Sequence, residues 1–143
     1  MFLAERLAGE GDVLNGVLSA IPSAVAAQAI ATAGADFLVI DREHGPIGRE
    51  TMQAMIAATA GTACAPLVRV PGVDAAEVKV ALDAGAEGVF FPMVRSADDV
   101  ERCVALLRYP PGGTRGWGPF VAHSRHGTSP ARYAQEVGPH ISC

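Results

Sequence analysis

FLVIDREHGP, residues 37–46, sets Asp41, Arg42, Glu43 and His44 directly behind four apolar residues, Phe37, Leu38, Val39 and Ile40. A run that short, apolar on both faces and half β-branched, suits a strand of a parallel sheet covered on both sides. Gly45 and Pro46 then stop it. The polar cluster therefore falls at the carboxyl end of a strand, where parallel α/β folds bind ligands and carry out chemistry.

On either side of this stretch, strand and helix patterns alternate. Residues 13–19 read as a strand, 23–32 as an alanine-rich helix after Pro22, and 36–40 as the strand just described. Residues 49–60 space Met52, Met55, Ile56 and Thr59 along one helical face, 65–70 form a third strand, 75–84 a helix and 88–94 a fourth strand. Residues 98–108 are amphipathic, with Val100, Cys103, Val104 and Leu107 on one stripe. This rhythm means βαβ units and a parallel sheet.

A short internal repeat fits the same plan. Ala33-Gly34-Ala35-Asp36 and Ala84-Gly85-Ala86-Glu87 each join a helix to a strand, with glycine at the left-handed stop. Beyond Arg108 the rhythm fails: residues 109–128 are rich in Gly and Pro, as in loops that line sites. A short helix near 132–137 and an apolar ending, 141–143, follow, as if a fifth strand were starting. An open flavodoxin-like sheet also fits this length, but no strand leads into a GxGxxG or GxxxxGK[ST] turn. The layout reads as α/β and as the first four to five units of a (β/α)₈ barrel.

With 143 residues, half of them apolar and 18% charged, the chain is about one packed domain. A net charge of −4 argues against a nucleic-acid surface. Cys64, Cys103 and Cys143 form no CxxC pair, so a reduced cytoplasmic protein is expected. The opening residues are too short and too charged for a signal peptide, and no apolar tract approaches the ~20 residues of a membrane span.

Several side chains stand where chemistry is expected. Arg69 ends the third strand, where a guanidinium can grip a carboxylate with two hydrogen bonds or simply pair with a nearby acid such as Asp74. His44, three residues after Asp41, has the makings of a general base. Phe91-Pro92-Met93 closes the fourth strand as packing or as a substrate wall. Gly116 and Gly118 flank Trp117, either admitting a ligand to the backbone or merely punctuating a loop. His123 and His126 form an HxxH in a stretch without helical pattern, a weak metal signal.

In combination, DREHGP (41–46), PLVRVP (66–71), ALDAGAEGVFFPMV (81–94) and RYPPGGTRGWGP (108–119) resemble the HpcH/HpaI aldolase family over about residues 12–143. The resemblance implies a (β/α)₈ barrel of the phosphoenolpyruvate/pyruvate type and metal-dependent cleavage of a 4-hydroxy-2-oxo acid to pyruvate and an aldehyde. It places the acid/base on His44 with Asp41 as its partner, and the pyruvyl-binding arginine on Arg69. Glu43, Pro92, Arg115, Gly116, Gly118 and Ser124 fall at substrate-binding positions.

The resemblance also implies Mg²⁺, Mn²⁺ or Co²⁺ and a homo-oligomer, hexameric in the family. The metal ligands of the family match no residue here, so this chain is expected to be one truncated domain, residues 1–143, that binds no metal and is inactive alone. Three positions depart from the family. Arg42 stands where a small residue is common, Gly72 where Trp often follows, and His126 where an aromatic is usual. Arg42 would add a charge beside the base, and the other two bear on second-substrate preference. The alternatives are an acyl-CoA lyase relative, or a non-catalytic half-barrel acting only in assembly.

Overall fold

Side chains start three of the main helices. Ser23 caps α2 (Ala24–Thr32), the Asp74 carboxylate accepts the Ala76 and Glu77 N–H groups at the start of α4 (Ala75–Asp83), and Ser96 with Asp99 forms a capping box on α5 (Ala97–Leu107). Helix α3 (Arg49–Ala58) buries Met52, Met55 and Ile56, the stripe that its sequence periodicity predicts. Gly34 and Gly85, at φ of 94° and 104°, supply the left-handed turns that end α2 and α4.

In the computed structural model, which describes residues 1–9 and 13–143, these helices alternate with four parallel strands. They are β1 (Gly16–Ser19), β2 (Phe37–Asp41), β3 (Ala65–Arg69) and β4 (Gly88–Phe90). The spatial order β1-β2-β3-β4 equals the chain order. A flavodoxin-like sheet would reverse direction at a switch point; this one does not, which is the barrel pattern.

Leu38, Ile40, Val68, Val70, Val89 and Phe91 face the helices and form the core with α2–α5. The alternate residues, among them Asp41, Arg69 and Phe90, share the opposite face.

Three differences from the sequence reading have simple causes. Strand β1 starts only at Gly16, because Asn15 already spends its N–H on the Asp36 carboxylate and its C=O on the Asp36 N–H. Strand β4 stops at Phe90: Pro92 has no N–H, and Met93 turns to φ 58°. The third is α1 (Leu3–Ala8), which the sequence reading did not anticipate. It docks at the amino-terminal end of the sheet, where Leu3 is buried and its N–H donates to Glu87 Oε1 at 2.6 Å.

After α5 come α6 (Ala122–Arg125), α7 (Pro130–Glu136) and a 3₁₀ turn. Ser142 then adds beside β4, donating to Glu87 O and accepting from Val89 N, both at 3.0 Å. Where the sequence reading expects a fifth strand to start, the described residues form a single parallel bridge, Gly88 to Ser142. Among the described residues no helix is long and apolar enough to cross a membrane.

Candidate active site

Strand β2 delivers Asp41 to the carboxyl end of the sheet, in register with Arg69 of β3 and Phe90 of β4. Register partners point to the same face, so the three side chains stand in a row. Arg69 donates from Nε to Asp41 Oδ1 at 2.9 Å and from Nη2 to Oδ2 at 2.7 Å, a fork-to-carboxylate pair. Asp41 is 2% exposed, and Oδ1 also accepts the backbone N–H groups of Glu43 (3.0 Å) and His44 (3.2 Å). The Arg69 guanidinium, with those N–H groups, holds the Asp41 carboxyl down to about 2 against the opposing effect of burial.

This turn requires Gly45. A Cβ there would lie 2.3 Å from Asp41 O and 3.1 Å from Ala20 Cα.

The expected pairing of Asp41 with the His44 ring is not made among the described residues. Asp41 reaches His44 only through the backbone N–H, since Arg69 occupies its carboxylate. The acid beside the imidazole is Glu43, with Oε1 at 3.4 Å from His44 Nε2, and its Oε2 lies 3.4 Å from Arg69 Nε. The imidazole itself is 73% exposed at the mouth.

Arg42 does not crowd this group. It turns outward to pair with Glu77 of α4 and donates from Nε to Ile47 O at 3.2 Å.

Pro92 follows two residues after Phe90, just past the carboxyl end of β4. Phe90 itself was missed by sequence reading, although counting back two positions from Pro92 would have put it on the inward face; it is 52% exposed.

Arg115, Gly116, Gly118 and Ser124 are not brought to the mouth. Helix α5 runs antiparallel to the strands, so the loop that leaves it starts at the amino-terminal end of the sheet. Arg115 is buried there, with its N–H on Arg108 O, Nη2 3.3 Å from Asp83 Oδ1 and its guanidinium 4.6 Å from the Tyr109 ring. Gly116 passes Lys79, and Gly118 packs so closely on Asp83 that a Cβ would sit 2.8 Å from Oδ2. Ser124 donates to Val121 O at 2.7 Å.

His126 is likewise far from the mouth, packed with Phe2 and Tyr133 at ring-centroid distances of 5.9 Å. It takes an aromatic's packing role there. His123 Nδ1 is engaged by Pro119 O, and HxxH forms no convergent pair.

The donors at the mouth do not fit a divalent cation. Both Asp41 oxygens are spent on a guanidinium, and among the described residues no three His, Cys, Asp or Glu side chains converge.

The family model for HpcH/HpaI aldolase/citrate lyase matches residues 16–137. A hydroxypyruvate/pyruvate aldolase of Roseovarius nubinhibens is 40% identical over 116 residues, 81% of this chain and 45% of that protein. A 4-hydroxy-2-oxo-heptane-1,7-dioate aldolase of Salmonella dublin is 37% identical over 76% of this chain and 41% of its own length. The chain thus spans under half the length of these curated relatives. The solved structure of an HpcH/HpaI aldolase/citrate lyase family protein from Burkholderia cenocepacia J2315 superposes with a TM-score of 0.84 at 33% identity, covering 97% of this chain and 56% of that one. The α/β fold is therefore that of these barrel enzymes over about half their length, and the chain belongs to the HpcH/HpaI aldolase/citrate lyase family.

Proposed function

We propose that the whole protein is a carbon–carbon lyase that cleaves a 4-hydroxy-2-oxo acid to pyruvate and an aldehyde. The observation that carries this reading is the Arg69–Asp41 fork set beside Glu43 and His44 at adjacent strand ends. Asp41 fixes the guanidinium plane, and Arg69 attracts the 2-oxo acid carboxylate and offsets charge developing on the enolate oxygen. His44 takes the proton of the 4-hydroxyl; the C3–C4 bond breaks, the aldehyde leaves, and the electron pair moves into a pyruvate enolate. The same imidazole then returns the proton to C3, with Glu43 steadying its charged form. Phe90 and Pro92 form the apolar side of the mouth.

The Mg²⁺, Mn²⁺ or Co²⁺ that the family resemblance implies would take its ligands from groups other than Asp41, Glu43 and Arg69. Cytoplasmic location and homo-oligomeric assembly accompany the proposal. The acyl-CoA alternative loses support, because Arg115, one of the two loop cations it would use, is buried. The assembly-only alternative keeps one observation in its favour: Leu18 and Phe90, on the sheet face away from the helices, are 51% and 52% exposed.

Exchange of the pyruvate methyl protons in D₂O, followed by NMR alongside pyruvate release from a 4-hydroxy-2-oxo acid, tests the reading. Exchange and release no faster than in buffer would sink it and leave the assembly reading.

A further inference from the structure

The amino-terminal end of the sheet, opposite the Asp41–Arg69 pair, holds a cavity of about 490 Å³. One wall is α1 with Phe2 and Arg6; the others include Thr62, Cys64, Glu87, Arg125 and His126. The charges on these walls are unevenly matched. Arg6 pairs with Asp36, and Glu87 spends Oε1 on the Leu3 N–H at 2.6 Å. Arg125 gives Nη2 to two neutral acceptors only, Thr59 Oγ1 at 3.2 Å and Cys64 O at 3.4 Å. Its Nε is shielded from solvent and has no partner among the described residues. Burial lowers the pKa of Arg125, as expected for a cation removed from water. The neighbouring His126 adds no positive charge near neutrality, because burial and Arg125 hold it down to about 4.

Glu87, on the same cavity wall, acts on Arg125 through charge without a hydrogen bond to it. A guanidinium hydrogen-bonded only to neutral oxygens in a roomy cavity still has room for an oxyanion, whose geometry suits its planar fork. We infer that this cavity binds a small oxyanion, phosphate or carboxylate, on Arg125, with Arg6 as a second donor from the α1 wall. Bound there, the anion fastens α1 to the start of β3 and to α6. The inference is independent of the chemistry proposed at the mouth.

The test is titration of the chain at pH 7 and constant ionic strength with sodium phosphate, sodium acetate or sodium chloride, read by calorimetry and by the midpoint of thermal unfolding. The expected result is one site per chain and a midpoint that rises with an oxyanion beyond the chloride control. Arg125→Gln should weaken the affinity at least about tenfold, the scale of a lost charge-assisted hydrogen bond, and Arg6→Gln by less. Should Arg125→Gln fail to fold, Arg125→Lys carries the same comparison, keeping charge and losing the fork. A response to phosphate alone identifies phosphate as the ligand class; an equal response to acetate identifies carboxylates as well. No response beyond chloride overturns the inference. So does binding that survives Arg125 replacement but disappears in Arg69→Gln, which would place the anion at the mouth.

Discussion

Arg69 lays Nε and Nη2 along the two oxygens of Asp41, at 2.9 and 2.7 Å, and so ties the ends of β2 and β3 together across 28 residues of chain. The pair is lopsided in exposure, 2% for the Asp41 side chain against 21% for Arg69. The carboxylate is the buried anchor, and the guanidinium reaches the mouth.

Removing the anchor's charge should be costly. Asp41→Asn removes the carboxylate that meets the Arg69 fork, leaving only Glu43 at 3.4 Å, and is expected to destabilise the fold by about 3 kcal/mol, the lower end for breaking a buried pair. Urea unfolding measures this; a change below about 1 kcal/mol would mean the pair contributes little.

The same pair sets a pH dependence. The folded pKa of Asp41 is about 2 against an ordinary 3.8, lowered chiefly by Arg69, so protons bind the unfolded chain preferentially as pH falls. The stability contributed is complete above about pH 4 and is lost between there and about 2. In Asp41→Asn this component should be missing from the acid limb of stability measured against pH. An acid limb identical to that of wild type would contradict the assignment.

His44 should separate chemistry from stability. Its imidazole is 73% exposed, so His44→Ala should leave the unfolding midpoint nearly unchanged. In the whole protein, pyruvate proton exchange and aldol cleavage should fall by about 100-fold or more. Turnover like that of wild type would remove His44 from the mechanism.

Arg69→Lys keeps the charge and loses the fork. Both the Asp41 contact and pyruvate binding should suffer, giving weaker pyruvate affinity together with slower exchange. If both quantities match wild type, a point charge suffices and the fork has no role.

Gly45→Ala tests the turn. The added methyl would meet Asp41 O at 2.3 Å, so the 41–45 loop must shift. A loss of about 1–3 kcal/mol, typical of overpacking, is expected with reduced activity. Gly72→Ala, where a Cβ meets nothing within 4 Å, is the matched control.

The alternation of strands and helices, the glycine stops at Gly34 and Gly85, the buried stripe of α3 and the placing of Asp41 and Arg69 at strand ends were legible in the sequence. Each depends on neighbours within a few positions: apolar period, caps and backbone freedom act locally.

What the sequence left open were contacts between distant residues. His44 stands one residue from Glu43 and three from Asp41 in the chain, and it is Glu43 that lies beside the imidazole while Arg69 holds the Asp41 carboxylate. Arg42 reads as a charge beside the base until α4 presents Glu77 on the far side. The 109–128 loop has the composition of a site loop, yet the direction of α5 starts it at the other end of the sheet, where Asp83, 32 residues back, receives Arg115. Helix α1 is six residues long, too short to stand alone. It is held by burial of Leu3 and by an acceptor on Glu87, 84 residues away. Side-chain partners of this kind follow from which strand ends and helix ends meet in space, and that is decided by the packing of the sheet against its helices rather than by any local run of residues.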